Sequence, residues 1–137
     1  MIKLIVGKKG SGKTKTLIDM TNSAVKISSG NVICIEKGPK LTHDIDHSAR
    51  LVNTDEYKLE GFDALYGFIT GMLAGNYDIT HIFVDGTLTI GNGDIPKFAS
   101  MIDSLSQIKG VQYLEYIAFT VSCDKSELPE ALIQYVI

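Results

Sequence analysis

"LIVGKKGSGKTKTL", residues 4–17, sets glycines, a lysine and a threonine at the spacing G-x-x-x-x-G-K-T between Gly7 and Thr14, the phosphate-binding P-loop pattern. Ahead of it, Ile2–Val6 is a short apolar run bearing one lysine, suited to a buried strand. Behind it the sequence takes on helical character. Strand before and helix after are the context such a loop requires. Its glycines let successive N–H groups curl toward an anion, and the following helix aims its positive end at the same point. Lys13 then supplies a point charge to the outer phosphates and Thr14 a hydroxyl to Mg²⁺. The candidate nucleotide-binding residues are Gly7, Lys8, Lys9, Gly10, Ser11, Gly12, Lys13, Thr14 and Lys15. The charges of Lys8 and Lys9 stand at the loop mouth, where solvent is an equal competitor for them.

Working outward, the chain of 137 residues favours one nucleotide-binding domain spanning residues 1–137. Thirteen basic and sixteen acidic residues leave a net charge of −3, which gives no strong electrostatic signal for nucleic acid. No apolar stretch is long enough to span a membrane, and the N-terminus lacks the pattern of a signal peptide. Cys34 and Cys123 sit in or beside apolar runs without metal-ligand spacing, so they read as packed, reduced thiols. These features point to the cytoplasm.

Apolar runs alternate with helical patterns, which predicts an α/β fold built on a parallel sheet. Four strands are expected at Ile2–Val6, Asn31–Glu36, Ile79–Asp85 and Leu114–Ser122, with Arg50–Asn53 a candidate short edge strand. Helices are expected over Lys13–Ser28, within Asp55–Ala74, from near Asp94, and across Ala131–Tyr135 behind a capping box at Asp124–Glu127. The expected architecture is a three-layer P-loop NTPase fold with helices on both faces and strands in the order 1-4-3-2. Gly67, Gly71 and Gly75 recur four apart, and are expected to let their helix lie close on the sheet.

A P-loop needs a partner for Mg²⁺ on its far side. "HIFVDG", residues 81–86, supplies an apolar strand ending in a carboxylate, so Asp85 joins Thr14 as a candidate metal ligand. Hydrolysis also needs a group to orient water, and in many RecA-like ATPases that is a Glu directly after the Asp. Here the position holds Gly86. Glu36, at the end of the second strand, stands on the edge where ligands bind in open α/β sheets and is the candidate substitute. Lys13 and Glu36 are thus the candidate catalytic residues. Thr120 and Ser122, polar residues closing the last strand, could sense a γ-phosphate, but one pointing in and one out is the expectation. "HDIDH", residues 43–47, is metal-like in composition, but a solvated polar loop fits it better.

"GKKGSGKTKT" followed by "VICIEKGPKLTHD" resembles the ATPases of type IV pilus retraction (twitching motility) and type II secretion, over residues 3–44. The resemblance implies ATP and Mg²⁺ as ligands, a catalytic role for Glu36, and a His at position 43. Lys37 and Gly38 stand where that family has Asp-Pro. A hexameric motor is not implied, because such motors are longer and use several arginines, whereas this chain has only Arg50. The expected function is ATP binding with slow Mg²⁺-dependent hydrolysis. Two alternatives are a silent nucleotide-dependent interaction module serving an unidentified protein partner and, third, a small-molecule kinase. Base identity and oligomeric state are not legible.

Overall fold

Side chains alternate along each strand, and here both sides of the alternation are apolar, so one sheet must be covered on two faces. The computed structural model describes residues Met1–Ile137 and has that arrangement. In chain order it runs β1 (Ile2–Gly7), α1 (Lys13–Ile27), β2 (Asn31–Glu36), β3 (Arg50–Asn53), α2 (Phe62–Gly75) and β4 (Ile79–Val84). The chain continues through α3 (Thr87–Ile90), α4 (Ile95–Ser106), α5 (Lys109–Gln112), β5 (Tyr116–Ser122) and α6 (Glu130–Ile133). The sheet is wholly parallel, in the order β1-β5-β4-β2-β3.

The expected order 1-4-3-2 is therefore corrected to a five-stranded 1-5-4-2-3. The difference arises at Arg50–Asn53, which pairs in parallel with β2 from Ile33↔Arg50 to Glu36↔Asn53 and takes one edge. At the other edge the C-terminal residues lie along β1, where Leu4 N–H donates to the Tyr135 carbonyl (2.8 Å) and Ile137 N–H to the Leu4 carbonyl (3.0 Å).

One face carries Leu4, Ile35, Ile82 and Phe119 against α2 and α4, where Leu65, Ile69, Phe98 and Ile102 are buried. The other carries Ile5, Cys34, Phe83 and Ala118 against Leu17 and Ala24 of α1. Leu41, Ile45 and Ala49 of the segment after β2 complete this second cluster, so that segment is packed, although polar residues predominate in it.

One further expectation is overturned and two are refined. The helix expected within Asp55–Ala74 is Phe62–Gly75, and ahead of it Thr54–Tyr57 is a single 3₁₀ turn, closed by Lys58 in the left-handed region (φ 52°). Gly67, Gly71 and Gly75 face solvent, and a Cβ at any of them would meet nothing within 4 Å, so they do not bring α2 close to the sheet. The Asp124–Glu127 box caps a 3₁₀ turn at Lys125–Glu127, ahead of α6. No helix is long and apolar enough to cross a membrane.

Candidate functional site

Strand parity gathers the chemistry at one corner. Glu36 follows Cys34 by two residues, Asp85 follows Phe83, and Thr120 follows Ala118, so all three lie on the α1 side of the sheet at its C-terminal edge. The N-terminus of α1 arrives at the same corner through the glycine-rich loop. Gly10 and Gly12 adopt φ of 86° and 89°, a region that other residues enter only at a cost, and Gly12 is the N-cap of α1. The helix therefore starts with unpaired N–H groups aimed into a polar cavity of about 470 Å³ with no apolar residue in its wall.

The expected loop residues divide by position. Lys9, Gly10, Gly12, Lys13, Thr14 and Lys15 line the cavity. Gly7 ends β1 beneath it, Lys8 reaches toward Asp124 (3.9 Å), and Ser11 lies beside Lys13. Lys13 is only 8% exposed, and its ammonium donates to the Lys8 carbonyl (2.9 Å) and to Ser11 Oγ (3.4 Å). Lys15 pairs one helical turn on with Asp19 (3.3 Å), both well exposed, an arrangement worth little to stability.

Asp85 is the hub. Thr14 Oγ1 donates to its Oδ1 and Oδ2 (3.2 and 3.3 Å), joining residues 71 positions apart. Thr120 Oγ1 donates to Oδ1 (2.7 Å) and accepts from Gly86 N–H (2.9 Å). A hydroxyl and a carboxylate side by side form a hard-oxygen donor pair, which fits Mg²⁺ completed by ligand phosphates and water. No group of three or more His, Cys, Asp or Glu side chains stands at metal-binding spacing, the HDIDH segment included. Gly86 takes φ 65° as N-cap of α3, and its amide is held by Thr120.

That link makes Thr120→Val informative. The substitution keeps the shape and deletes both hydrogen bonds, stranding the Gly86 N–H and leaving Thr14 as the one hydroxyl that donates to Asp85. A loss of about 1–3 kcal/mol is expected, read as a lower urea midpoint with unchanged slope. An unchanged midpoint would show that water replaces the hydroxyl without cost.

Glu36 is 3% exposed, and both carboxylate oxygens accept from Leu41 N–H (3.2 and 3.1 Å). Burial pushes its carboxyl above the usual range, opposed by the Leu41 and Lys40 N–H groups and reinforced by the charge of Asp85. It borders a second polar cavity, about 280 Å³, whose wall also includes Lys37, Lys40, Asp55 and Thr89. Lys40, Asp85 and Gly86 belong to both cavities, so the two adjoin. Burial, with Glu36 and Asp85 nearby, pushes the Cys34 thiol up to about 12, so it stays protonated and unreactive at neutral pH. Cys123 is likewise buried and unpaired.

The expectation of one in and one out is corrected: Thr120 and Ser122, two residues apart on a strand, share a face and both line the larger cavity, whereas His43 is exposed and lines neither. Lys40 was missed in the sequence, where a lysine after Gly-Pro reads as an ordinary solvated turn. An apolar cavity of about 480 Å³ also exists, between Leu73, Ile79 and Ile108. It lies at the opposite edge of the sheet, and Lys109 is its one charged residue, so it lacks the group of lysines and the carboxylate that gather at the polar corner. No protein-family model matches this chain, and no curated protein matches it.

Proposed function

We propose that the chain is a P-loop nucleoside-triphosphate-binding domain of the RecA-like branch, taking ATP with Mg²⁺ and hydrolysing it slowly. The observation that carries this is the convergence of Lys13, Thr14 and Asp85 on one polar cavity at the N-terminus of a 15-residue helix. The helix end and loop amides bind phosphate, Lys13 meets the outer phosphates, and Thr14 with Asp85 holds the magnesium side. Bound Mg²⁺ would neutralise charge on the phosphate oxygens. The presence of β5 between β1 and β4 supports the RecA-like branch, as does the resemblance of residues 3–44 to pilus-retraction and type II secretion ATPases. Glu36 orients the attacking water, since Gly86 offers no side chain for it. Buried reduced thiols fit a cytoplasmic protein.

A second reading has its own observation. Glu36 is tied to Leu41 N–H, and a carboxylate held by the backbone serves equally as a structural anchor. In that case the domain binds nucleotide without turning it over and signals to a protein partner. A small-molecule kinase is disfavoured, because the only arginine, Arg50, donates to the Tyr57 hydroxyl (3.1 Å) and lines neither polar cavity.

Thermal melting tests the common part of both readings. A ligand that binds only the folded state adds about 2.7 kcal/mol at a hundredfold excess over Kd. For a domain of this size that is a shift of several degrees. The shift is expected with ATP·Mg²⁺, and a smaller one in Asp85→Ala. No shift at millimolar nucleotide would overturn the binding reading.

A further inference from the structure

Phosphoryl transfer builds negative charge on the outermost phosphate, and many enzymes meet it with a cation from the side opposite the loop. Arg50 is elsewhere. Of the four lysines on the main cavity, Lys13 is engaged with its own loop and Lys15 with Asp19, and Lys9 belongs to the loop itself. Lys40 alone comes from another segment of the chain, it belongs to both adjoining cavities, and it makes no ion pair or side-chain hydrogen bond.

The segment carrying it is held on both sides. Glu36 accepts from Leu41 N–H immediately after Lys40. Before it, Gly38 N–H donates to Asn53 Oδ1 (2.9 Å), and Lys37 pairs with Asp55 (2.7 Å), which occupies one of the acids on the smaller cavity, while the Lys40 charge is felt by Glu36 without an ion pair. Thr42 Oγ1 donates to the Pro39 carbonyl (3.0 Å), closing the turn that contains Lys40. Leu41 is buried in the α1-side core, so the next residue along the chain is fixed while the Lys40 side chain remains free.

We propose that Lys40 is the cation that meets the γ-phosphate from the side opposite the glycine-rich loop, supplied by the same chain, and that Glu36 is a positioning residue that fixes it through Leu41 N–H. This rests on the nucleotide-binding reading above. It gives the buried carboxylate a role independent of water activation, and accounts for a site of this kind without an arginine. A contact to the γ-phosphate acts on ATP and not on ADP, so discrimination between the two is its signature.

Affinities for ATP·Mg²⁺ and ADP·Mg²⁺ are measured in wild type, Lys40→Ala, Lys40→Arg, Glu36→Ala, Glu36→Gln and the double alanine variant, each checked for an intact fold by circular dichroism. Lys40→Ala is expected to lose roughly tenfold in ATP affinity, the size of one charge-assisted hydrogen bond, and nothing in ADP affinity. Lys40→Arg retains ATP binding. Glu36→Ala reproduces the Lys40→Ala loss, and the double variant loses no more than either single one, because both act through one contact. Glu36→Gln, whose amide oxygen still accepts from Leu41 N–H, retains discrimination. If Lys40→Ala leaves ATP affinity unchanged or weakens ATP and ADP alike, or if Lys40→Arg fails to rescue, Lys40 is not the γ-phosphate contact. An additive double variant removes the positioning role of Glu36. Wild type that binds neither nucleotide overturns the nucleotide reading and this proposal together, whereas wild type that binds both with Lys40→Ala silent overturns this one alone.

Discussion

Replacing Lys13 by alanine is expected to weaken ATP·Mg²⁺ binding at least about tenfold and to leave the domain folded. Hydrogen bonds to charged groups contribute about 1.5–3 kcal/mol each, and every 1.4 kcal/mol is a factor of ten in affinity. Lys13 is the one lysine that the loop itself orients: its ammonium rests on the Lys8 carbonyl, and the residue is 8% exposed. An incoming phosphate therefore meets a cation whose side chain is already ordered, with little further rotamer entropy to lose. Lys9 and Lys15 also line the cavity, but both are exposed and neither is held against the loop, so neither substitutes for it. The fold survives because the bonds lost are local to residues 8–13, whereas the core rests on the two apolar layers. Titrating a fluorescent ATP analogue into both proteins measures the ratio. Equal affinities in two folded proteins would remove the loop from the binding site.

The loop, the helix behind it and the strand ending at Asp85 were legible because each carries a local rule. Glycine spacing, a lysine-threonine pair and an apolar run closed by one carboxylate need no knowledge of the rest of the chain. The edge strand was only a candidate, since Val52 is its single fully buried residue and four residues carry too little alternation to stand out. The glycine expectation failed for a reason visible in helical geometry. Leu65, Ile69 and Leu73 are the buried stripe of α2, and Gly67, Gly71 and Gly75 each stand two residues further on, about 200° around the helix at 3.6 residues per turn. They had to face away from the sheet.

The role of residues 37–49 was hidden for a different reason. Their polar composition describes the surface of the segment, while Leu41, Ile45 and Ala49 tie it to the core and Glu36 captures a backbone N–H that no sequence pattern records. A side chain that recognises the main chain leaves no trace in residue type at the partner position. For the same reason Lys40 reads as a solvated turn until the adjoining cavities give it neighbours.

Glu36→Gln is expected to reduce ATP turnover by about 10²–10⁴-fold while leaving ATP binding intact, the range usual for a group that positions or deprotonates an attacking water. Glutamine has the same length and keeps an oxygen for Leu41 N–H, so the segment carrying Lys40 stays in place and only the negative charge is lost. Stability separates this loss from misfolding. Burial raises the Glu36 carboxyl above its ordinary range, so its favourable contribution is complete below that range and is lost as pH rises through the folded value. At neutral pH the buried charge is a cost, and Glu36→Gln should melt no lower than wild type there, with any advantage fading in acid. A glutamate at position 86 is a poorer test, because φ there is 65° and a side chain in the left-handed region costs about 1–2 kcal/mol. Phosphate release is measured in wild type, Glu36→Gln and Lys13→Ala at saturating nucleotide for the first two. If wild type and Glu36→Gln both run at the Lys13→Ala rate, the hydrolytic reading fails, and the bond from Glu36 to Leu41 N–H is then its whole function: to hold a nucleotide-sensing segment in a domain whose output is a change of shape.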